Sequence, residues 1–163
     1  MRALRANRVL GIDPGYDRCG VAVLEGDPSK PILVWSACIE PAKGDMEARL
    51  AEVAQAIEAA IAEHAPSALA IETLYFSTNK KTAIGVAQAR GTILACAGKA
   101  QLSVLEISPA QVKLAVTGYG RADKKAVAAM VPKLICLPAG KRRDDELDAI
   151  AVAIAGLSTL PRG

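Results

Sequence analysis

Four carboxylates stand where an apolar run of the chain begins or ends. The runs RVLGID and ALAIE close on Asp13 and Glu72, respectively. Asp145 and Asp148 open the last apolar run, and because they are three residues apart they would share one face of a helix. If the fold brings the four together, they will raise one another's pKa values unless cations bind between them. Oxygen ligands without histidine or cysteine suit Mg²⁺ or Mn²⁺.

Two such ions about 4 Å apart would support phosphodiester hydrolysis, because one activates a water molecule and the other stabilises the leaving 3′ oxygen. Each carboxylate also has a structural explanation. Asp13 could belong to a turn, and Asp145 could stabilise a helix N-terminus as Asp144 and Glu146 would. Glu72 is harder to explain in this way, since a strand end between apolar neighbours has little use for a charge. The four are therefore candidate metal ligands and catalytic residues.

Hydrophobic patterning predicts the elements that must position these side chains. Strands are predicted at residues 8–13, 20–25, 32–39, 68–72 and 103–107. Helices are predicted at about residues 45–64, with Asp45 as cap, 82–100, 109–116, 121–134 and 144–157. Short connections make the first three strands an antiparallel meander, and the β-α-β-α order that follows makes strands four and five parallel. We expect a five-stranded mixed α/β sheet with helices on both faces.

In such sheets, sites form beyond the carboxyl ends of strands, where Asp13 and Glu72 stand. The chain has 163 residues, enough for one domain, with flexible ends expected at 1–7 and 158–163. The sequence has no run typical of a membrane span and no signal-peptide pattern, so we expect a cytoplasmic protein. The four cysteines form no CxxC pair and the one histidine is His64, so no zinc spacing is present.

Charge is distributed unevenly along the chain, although the net charge is only +3. Residues 40–72 carry seven acids against two bases, whereas residues 73–143 carry twelve bases against Glu106 and Asp123. A basic face of this kind is typical of proteins that bind nucleic acid. Solvated lysines are nevertheless common on any surface, so this pattern supports a nucleic-acid partner without establishing one.

Several motifs, in one order and spacing, point to a known family. They are GIDPG at 11–15, AIE at 70–72, AQARG at 87–91, QVK at 111–113, TGYGRADK at 117–124 and DELDAIAVAIA at 145–155. With these motifs the chain resembles the RuvC family of bacterial Holliday junction resolvases over about residues 8–156. The resemblance implies a ribonuclease H-like fold and a homodimeric endonuclease. Its implied function is to resolve four-way DNA junctions by paired, symmetric cleavage in recombination and repair.

The same resemblance assigns roles to individual residues. It implies that Asp13, Glu72, Asp145 and Asp148 bind two Mg²⁺ ions, for which Mn²⁺ would substitute. It also implies two functional lysines, which fall at Lys113 and Lys124 here. A cation near the scissile phosphate would stabilise charge that develops in the transition state. Their structural alternative is that they are solvated surface lysines.

The resemblance further implies that an aromatic side chain in the loop after Glu72 enters the junction crossover. Tyr75 takes that position and Phe76 follows it, although either ring could instead fold onto the core. Other expected DNA contacts come from polar and basic residues along the later segments. They are Asn79, Lys80, Lys81, Arg90, Arg121 and Lys125. The branch-migration proteins RuvA and RuvB are the implied protein partners, and small residues in the helix predicted at 82–100 would suit close packing against a second copy.

Three alternatives compete with a junction endonuclease. The segment GYDRCGVAV is similar to YqgF-type nucleases, which would act on structured RNA. DPGYDRCG also resembles the phosphate loop of actin-like ATPases, but that fold needs two domains around a cleft. A junction-binding module without catalysis is the third, and the intact set of carboxylates argues against it. The basic linker Lys141–Arg143 is a further departure from the usual family pattern.

Overall fold

The computed structural model describes residues 7–73 and 79–161, which form five strands and five helices. The strands are β1 (Arg8–Asp13), β2 (Cys19–Asp27), β3 (Lys30–Ile39), β4 (Ala68–Glu72) and β5 (Ser103–Ile107). The helices are α1 (Met46–His64), α2 (Lys80–Lys99), α3 (Pro109–Thr117), α4 (Lys124–Leu134) and α5 (Asp144–Thr159). The predicted order of elements is confirmed, and α5 runs two residues into the C-terminal segment that was expected to be flexible.

The five strands form one mixed sheet in the order β3-β2-β1-β4-β5. The pairs β1–β2 and β2–β3 are antiparallel, as the short connections predict. The pairs β1–β4 and β4–β5 are parallel, since α1 and α2 carry the chain back across the sheet. This topology, with helices on both faces, is the predicted ribonuclease H-like fold.

Alternate residues of the strands face two separate apolar layers, as strand geometry requires. Leu10 and Ile12 of β1 pack with α1 and α2 on one face of the sheet. Val9 and Ala70, from β1 and β4, pack on the other face with α3, α4 and α5. Within α5 every residue from Ala149 to Leu157 is buried, because the helix lies between the sheet and α3 with α4. The carboxylates that precede Ala149 therefore lie at the edge of a rigid layer.

Helix α5 approaches the sheet so closely that three positions admit only glycine. A Cβ atom on Gly11 would lie 2.6 Å from the Ala153 Cβ, and one on Gly156 would lie 2.7 Å from the Ala70 Cβ. A Cβ atom on Gly20 would overlap the carbonyl oxygen of Asp145. These contacts fix the height and the axial position of α5 over β1 and β2.

Side-chain caps account for most of the helix starts that differ from prediction. The start expected near residue 121 is wrong, because the Asp123 carboxylate accepts the Ala126 N–H at 2.7 Å and α4 begins after it. Likewise Asn79 accepts the Thr82 N–H at 3.3 Å, so α2 begins at Lys80 instead of near residue 82. Asp45 occupies the cap position of α1, but its side chain makes no cap hydrogen bond.

Two further observations concern the cysteines and the length of the helices. All four cysteines are unpaired, and Cys19 and Cys96 are buried, whereas Cys136 is exposed. Within the two described ranges, no helix has both the length and the apolar character needed to cross a membrane.

Replacing Gly20 by alanine is expected to destabilise the protein by about 1–3 kcal/mol, because the added methyl group must push α5 away from β2. Gly44→Ala is the matched control, since nothing lies within 4 Å of a Cβ atom there. Urea unfolding followed by the fluorescence of Trp35, the single tryptophan, measures both variants. Equal stability of the two variants would contradict the close approach of α5.

Candidate active site

Asp13 and Glu72 lie side by side at one edge of the sheet. They follow Ile12 and Ile71, which are partners in the parallel β1–β4 pair. Side chains alternate along a strand, so Asp13 falls on the same face as Gly11, the face that α5 covers. Glu72 likewise shares a face with Ala70. Both carboxylates therefore emerge beneath the start of α5.

Asp145 and Asp148 lie in the first turns of α5, directly above that edge. The contact between Gly20 and the Asp145 carbonyl holds the first turn of the helix against β2. Each of the two aspartates is partly exposed, with 25% and 33% of the side chain accessible. The fold thus brings together the four carboxylates that the sequence singled out.

Burial and mutual repulsion make this cluster unfavourable without cations. Burial, followed by the charges of Asp148, Asp145 and Glu72, raises the pKa of Asp13 to about 7. Burial and then the Asp148 charge raise the pKa of Glu72. The pKa of Asp148 is also raised by burial, although the Lys124 ammonium opposes the shift. Three of the four carboxylates are therefore held where ionisation is costly.

Three cationic side chains partly balance the cluster. The Lys124 Nζ lies 3.4 Å from the Asp148 Oδ2, and the Asp148 charge raises the pKa of Lys124. The Lys113 charge opposes part of the rise in the pKa of Glu72. The third cation is Arg18, whose Nε lies 3.3 Å from the Asp145 Oδ2. The two lysines were predicted, but Arg18 was not, because its sequence position gives no sign that the loop folds back onto α5.

A cleft of about 290 Å³ opens beside the cluster. Glu72 and Asp148 line it together with Lys113 and Lys124. Its remaining walls are apolar and come from α3, α4 and α5: Pro109, Val112, Val127, Ala151 and Val152. The capping box of Ser108 and Gln111 fixes the start of α3 and with it the position of Lys113. Both predicted lysines and two of the predicted carboxylates thus face one cavity.

The donor set fits hard divalent cations. It consists of carboxylate oxygens, and burial together with the neighbouring carboxylate charges raises the pKa values of Asp13, Glu72 and Asp148, so a bound cation would relieve an unfavourable cluster. Among the described residues, no three ligand-type groups are yet close enough to hold an ion as they stand. Asp148 and Asp145 each face a protein cation instead, Lys124 at 3.4 Å and Arg18 at 3.3 Å.

The residues predicted to contact DNA fall into three groups. Lys80, Lys81, Arg121 and Lys125 are exposed. Arg90 is mostly buried, and its Nη2 donates to Glu106 Oε1 at 2.9 Å, which ties α2 to β5.

The third group is the loop that follows β4. Asn79 serves as the cap of α2. Tyr75 and Phe76 lie outside the described residues, so their role stays a prediction.

Two arginines of the basic linker before α5 make structural contacts. Arg143 forms two hydrogen bonds to the Glu40 carboxylate, at 2.8 and 3.3 Å. Arg142 donates to the Pro138 carbonyl at 2.7 Å and lies 3.4 Å from Glu146. Glu146 in turn accepts the hydroxyl of Ser36 at 2.6 Å. These contacts anchor the start of α5 and separate Glu146 from the carboxylate cluster.

The fold and the cluster together define a class of protein. A ribonuclease H-like sheet with carboxylates at the ends of β1 and β4, facing two more on the last helix, is typical of metal-dependent nucleases.

Comparison with known proteins narrows this class. A family model described as crossover junction endodeoxyribonuclease RuvC matches residues 9–156. RuvC of Heliobacterium modesticaldum is 43% identical over 156 residues, covering 95% of this chain and 96% of its own. RuvC of Syntrophomonas wolfei is 40% identical over 151 residues, with coverages of 92% and 88%. Thermus thermophilus RuvC, solved in complex with a Holliday junction substrate, matches with a TM-score of 0.84 at 29% identity, covering 91% of each chain.

The chain therefore belongs to the RuvC family of crossover junction endodeoxyribonucleases. This assignment confirms the resemblance that the motifs indicated. It favours that family over the YqgF-like nucleases that GYDRCGVAV brought into consideration.

The raised pKa of Asp13 predicts that the metal-free protein loses stability as pH rises. The pKa is about 3.8 for an ordinary aspartate and about 7 in the fold. Between these values the folded state binds more protons than the unfolded state. The free energy of unfolding then falls by about 1.4 kcal/mol for each pH unit, and the loss is complete above the folded pKa.

Asp13→Asn should remove the contribution of Asp13 to this pH dependence, whereas Glu72 and Asp148, whose pKa values are also raised, keep theirs. Melting temperatures in EDTA between pH 5 and pH 8 test it: the variant should gain stability relative to the original protein as pH rises. Parallel curves for the two proteins would contradict the raised pKa.

Proposed function

We propose that this protein resolves four-way DNA junctions by Mg²⁺-dependent hydrolysis of two strands of like polarity. The observation that carries the proposal is the carboxylate cluster, in which burial and then the charges of the other three carboxylates raise the pKa of Asp13 to about 7. Family membership and the likeness to a RuvC solved with a Holliday junction supply the substrate class. Because the proposed substrate is bacterial DNA, we place the activity in the cytoplasm.

In this proposal Asp13, Glu72, Asp145 and Asp148 hold two Mg²⁺ ions, for which Mn²⁺ would substitute. When bound, such ions supply an activated water and stabilise the leaving 3′ oxygen. The carboxylates orient the reacting centre and lose their mutual repulsion when cations bind. Intact carboxylates with strongly perturbed pKa values favour a catalytic role over a binding-only module.

Lys113 and Lys124 are proposed to stabilise negative charge on the scissile phosphate. Both line the same cleft as Glu72 and Asp148. The Lys124 side chain is 80% exposed, so its ammonium group can move from Asp148 to a phosphate without leaving a buried site. Lys113 is less exposed than Lys124. It would act where the DNA strand passes over Glu72.

A four-way junction has two-fold symmetry, which a two-fold dimer would match by presenting one site to each of two like strands. We propose that α2 contributes to this dimer. Gly91 and Gly98 on that helix have nothing within 4 Å of a Cβ atom, so another backbone could approach closely there. RuvA and RuvB, the branch-migration proteins implied by the family, are proposed partners of the dimer.

Asp145→Asn and Asp148→Asn should each reduce cleavage of a synthetic four-way junction by at least about a hundredfold. Mutating a residue that only orients a metal ligand already lowers metal affinity or activity about 10–100-fold. Removing a ligand itself should lower activity further. Junction binding and folding should be kept, because asparagine preserves the shape of the side chain. Gel assays with and without Mg²⁺, and on structured RNA, measure the effect.

Asp45→Asn is the matched control, since Asp45 is an exposed residue whose side chain makes no cap bond. Its cleavage rate should equal that of the unchanged protein. Near-normal cleavage by either α5 variant would show that the four-carboxylate site is wrong. Preferential cleavage of the structured RNA would instead show that RNA, not junction DNA, is the substrate.

Junction affinity should fall steeply with salt, because lysine–phosphate contacts release counterions. Replacing Lys80 and Lys81 by glutamine should make the slope of log K against log salt shallower by about 1 for each lysine. Lys99→Gln removes one lysine charge about 28 Å along α2, where Lys99 pairs with Glu58, and should leave the slope unchanged. An unchanged slope in the double variant would mean that these lysines face away from DNA.

A further inference from the structure

The loop between β1 and β2 is held by contacts to two helices on one side of the sheet. The Tyr16 ring packs against Gly85 of α2, where even a Cβ atom would overlap it. The Arg49 guanidinium of α1 lies 5.3 Å from the centre of the same ring and pairs with Asp17. The backbone on the N-terminal side of Arg18 is therefore fixed, and the freedom of that residue lies in its side chain.

Arg18 connects this fixed loop to α5 on the other side of the sheet. Its Nε lies 3.3 Å from the Asp145 Oδ2, and half of its side chain is exposed. An ion pair this exposed is weak, because water competes for both partners. It can therefore be replaced by a stronger ligand on either side.

A second depression lies next to this pair. It measures about 200 Å³ and is lined by the loop, by Asp145 and by Thr82 and Val86 of α2. Glu72, Lys113 and Lys124 line the other cleft and not this one. The Arg18 guanidinium thus borders both Asp145 and an open space at the start of α2.

We propose that Arg18 is a positioning residue that exchanges the Asp145 carboxylate for a DNA phosphate when a divalent cation binds. The inference rests on the proposed function and adds a role for a residue outside the four carboxylates. Without metal, Arg18 holds Asp145 away from the other carboxylates and competes with the incoming cation. Once released, its guanidinium can donate two parallel hydrogen bonds to a phosphate in the depression.

This exchange makes metal binding and junction binding mutually supportive. A phosphate that occupies Arg18 leaves Asp145 available to a cation, and a cation on Asp145 leaves Arg18 available to the phosphate. Linkage requires the two effects to be equal in size. Arg18 should therefore weaken metal binding in the absence of DNA, while it strengthens junction binding in the presence of metal.

Arg18→Gln tests both effects, which should have opposite signs: metal binding without DNA should become stronger, and junction binding with metal should become weaker. Isothermal titration with Mn²⁺, without DNA, should give a dissociation constant about two- to fivefold lower than that of the unchanged protein, as the loss of an exposed ion pair allows. At saturating Mg²⁺ the KM for junction cleavage should rise by a similar factor, while kcat changes less than twofold. A merely structural role would weaken Mn²⁺ binding.

Arg18→Lys keeps the positive charge and should return both values toward those of the unchanged protein. Arg18→Met, of similar length and without charge, replaces Arg18→Gln if that variant does not fold. Lys99→Gln controls for the loss of one surface charge and should leave the Mn²⁺ affinity unchanged.

Unchanged or weaker Mn²⁺ binding by the uncharged variants would overturn the exchange. So would a KM that does not rise, or an Arg18→Lys variant that behaves like Arg18→Gln. Failure of the proposed function is distinguishable from these outcomes, because in that case the unchanged protein would itself bind no Mn²⁺ or cut no junction.

Discussion

The close approach of α5 to the sheet determines where the carboxylates of the site can lie. Three glycines, Gly11, Gly20 and Gly156, leave no room for a side chain between helix and strands. The helix is covered on its other side by α3 and α4, so it cannot rise to relieve a poor fit. Close-packed interiors are nearly incompressible, so a shift of one element displaces its neighbours. The carboxylates at the start of α5 are consequently held near those that end β1 and β4.

This rigidity has an electrostatic cost, because the apolar packing forces like charges together. Burial is the largest cause of the raised pKa values of Asp13, Glu72 and Asp148, and their mutual charges add to it. Part of that cost is offset by three protein cations, Lys124, Arg18 and Lys113. A site of this construction is ready for cations yet destabilised without them, which is the condition under which metal binding also stabilises the fold.

Much of the site could be predicted because it depends on local patterns. Strand alternation and parallel order place Asp13 and Glu72 at one edge, and helical spacing places Asp145 beside Asp148. Arg18 could not be predicted, since its partner lies on α5 and only the folded loop brings them together. The starts of α2 and α4 were missed for a related reason: periodicity does not reveal which of several polar residues will cap a helix.

We propose that the four carboxylates form one binding site for divalent cations. Anomalous scattering from a crystal soaked in Mn²⁺ tests it most directly, because it locates the ions without relying on activity. We expect two peaks in each chain, contacted by Asp13, Glu72, Asp145 and Asp148, with the Arg18 guanidinium displaced from Asp145. Ions bound elsewhere, or a carboxylate cluster that stays without ions at saturating Mn²⁺, would contradict it.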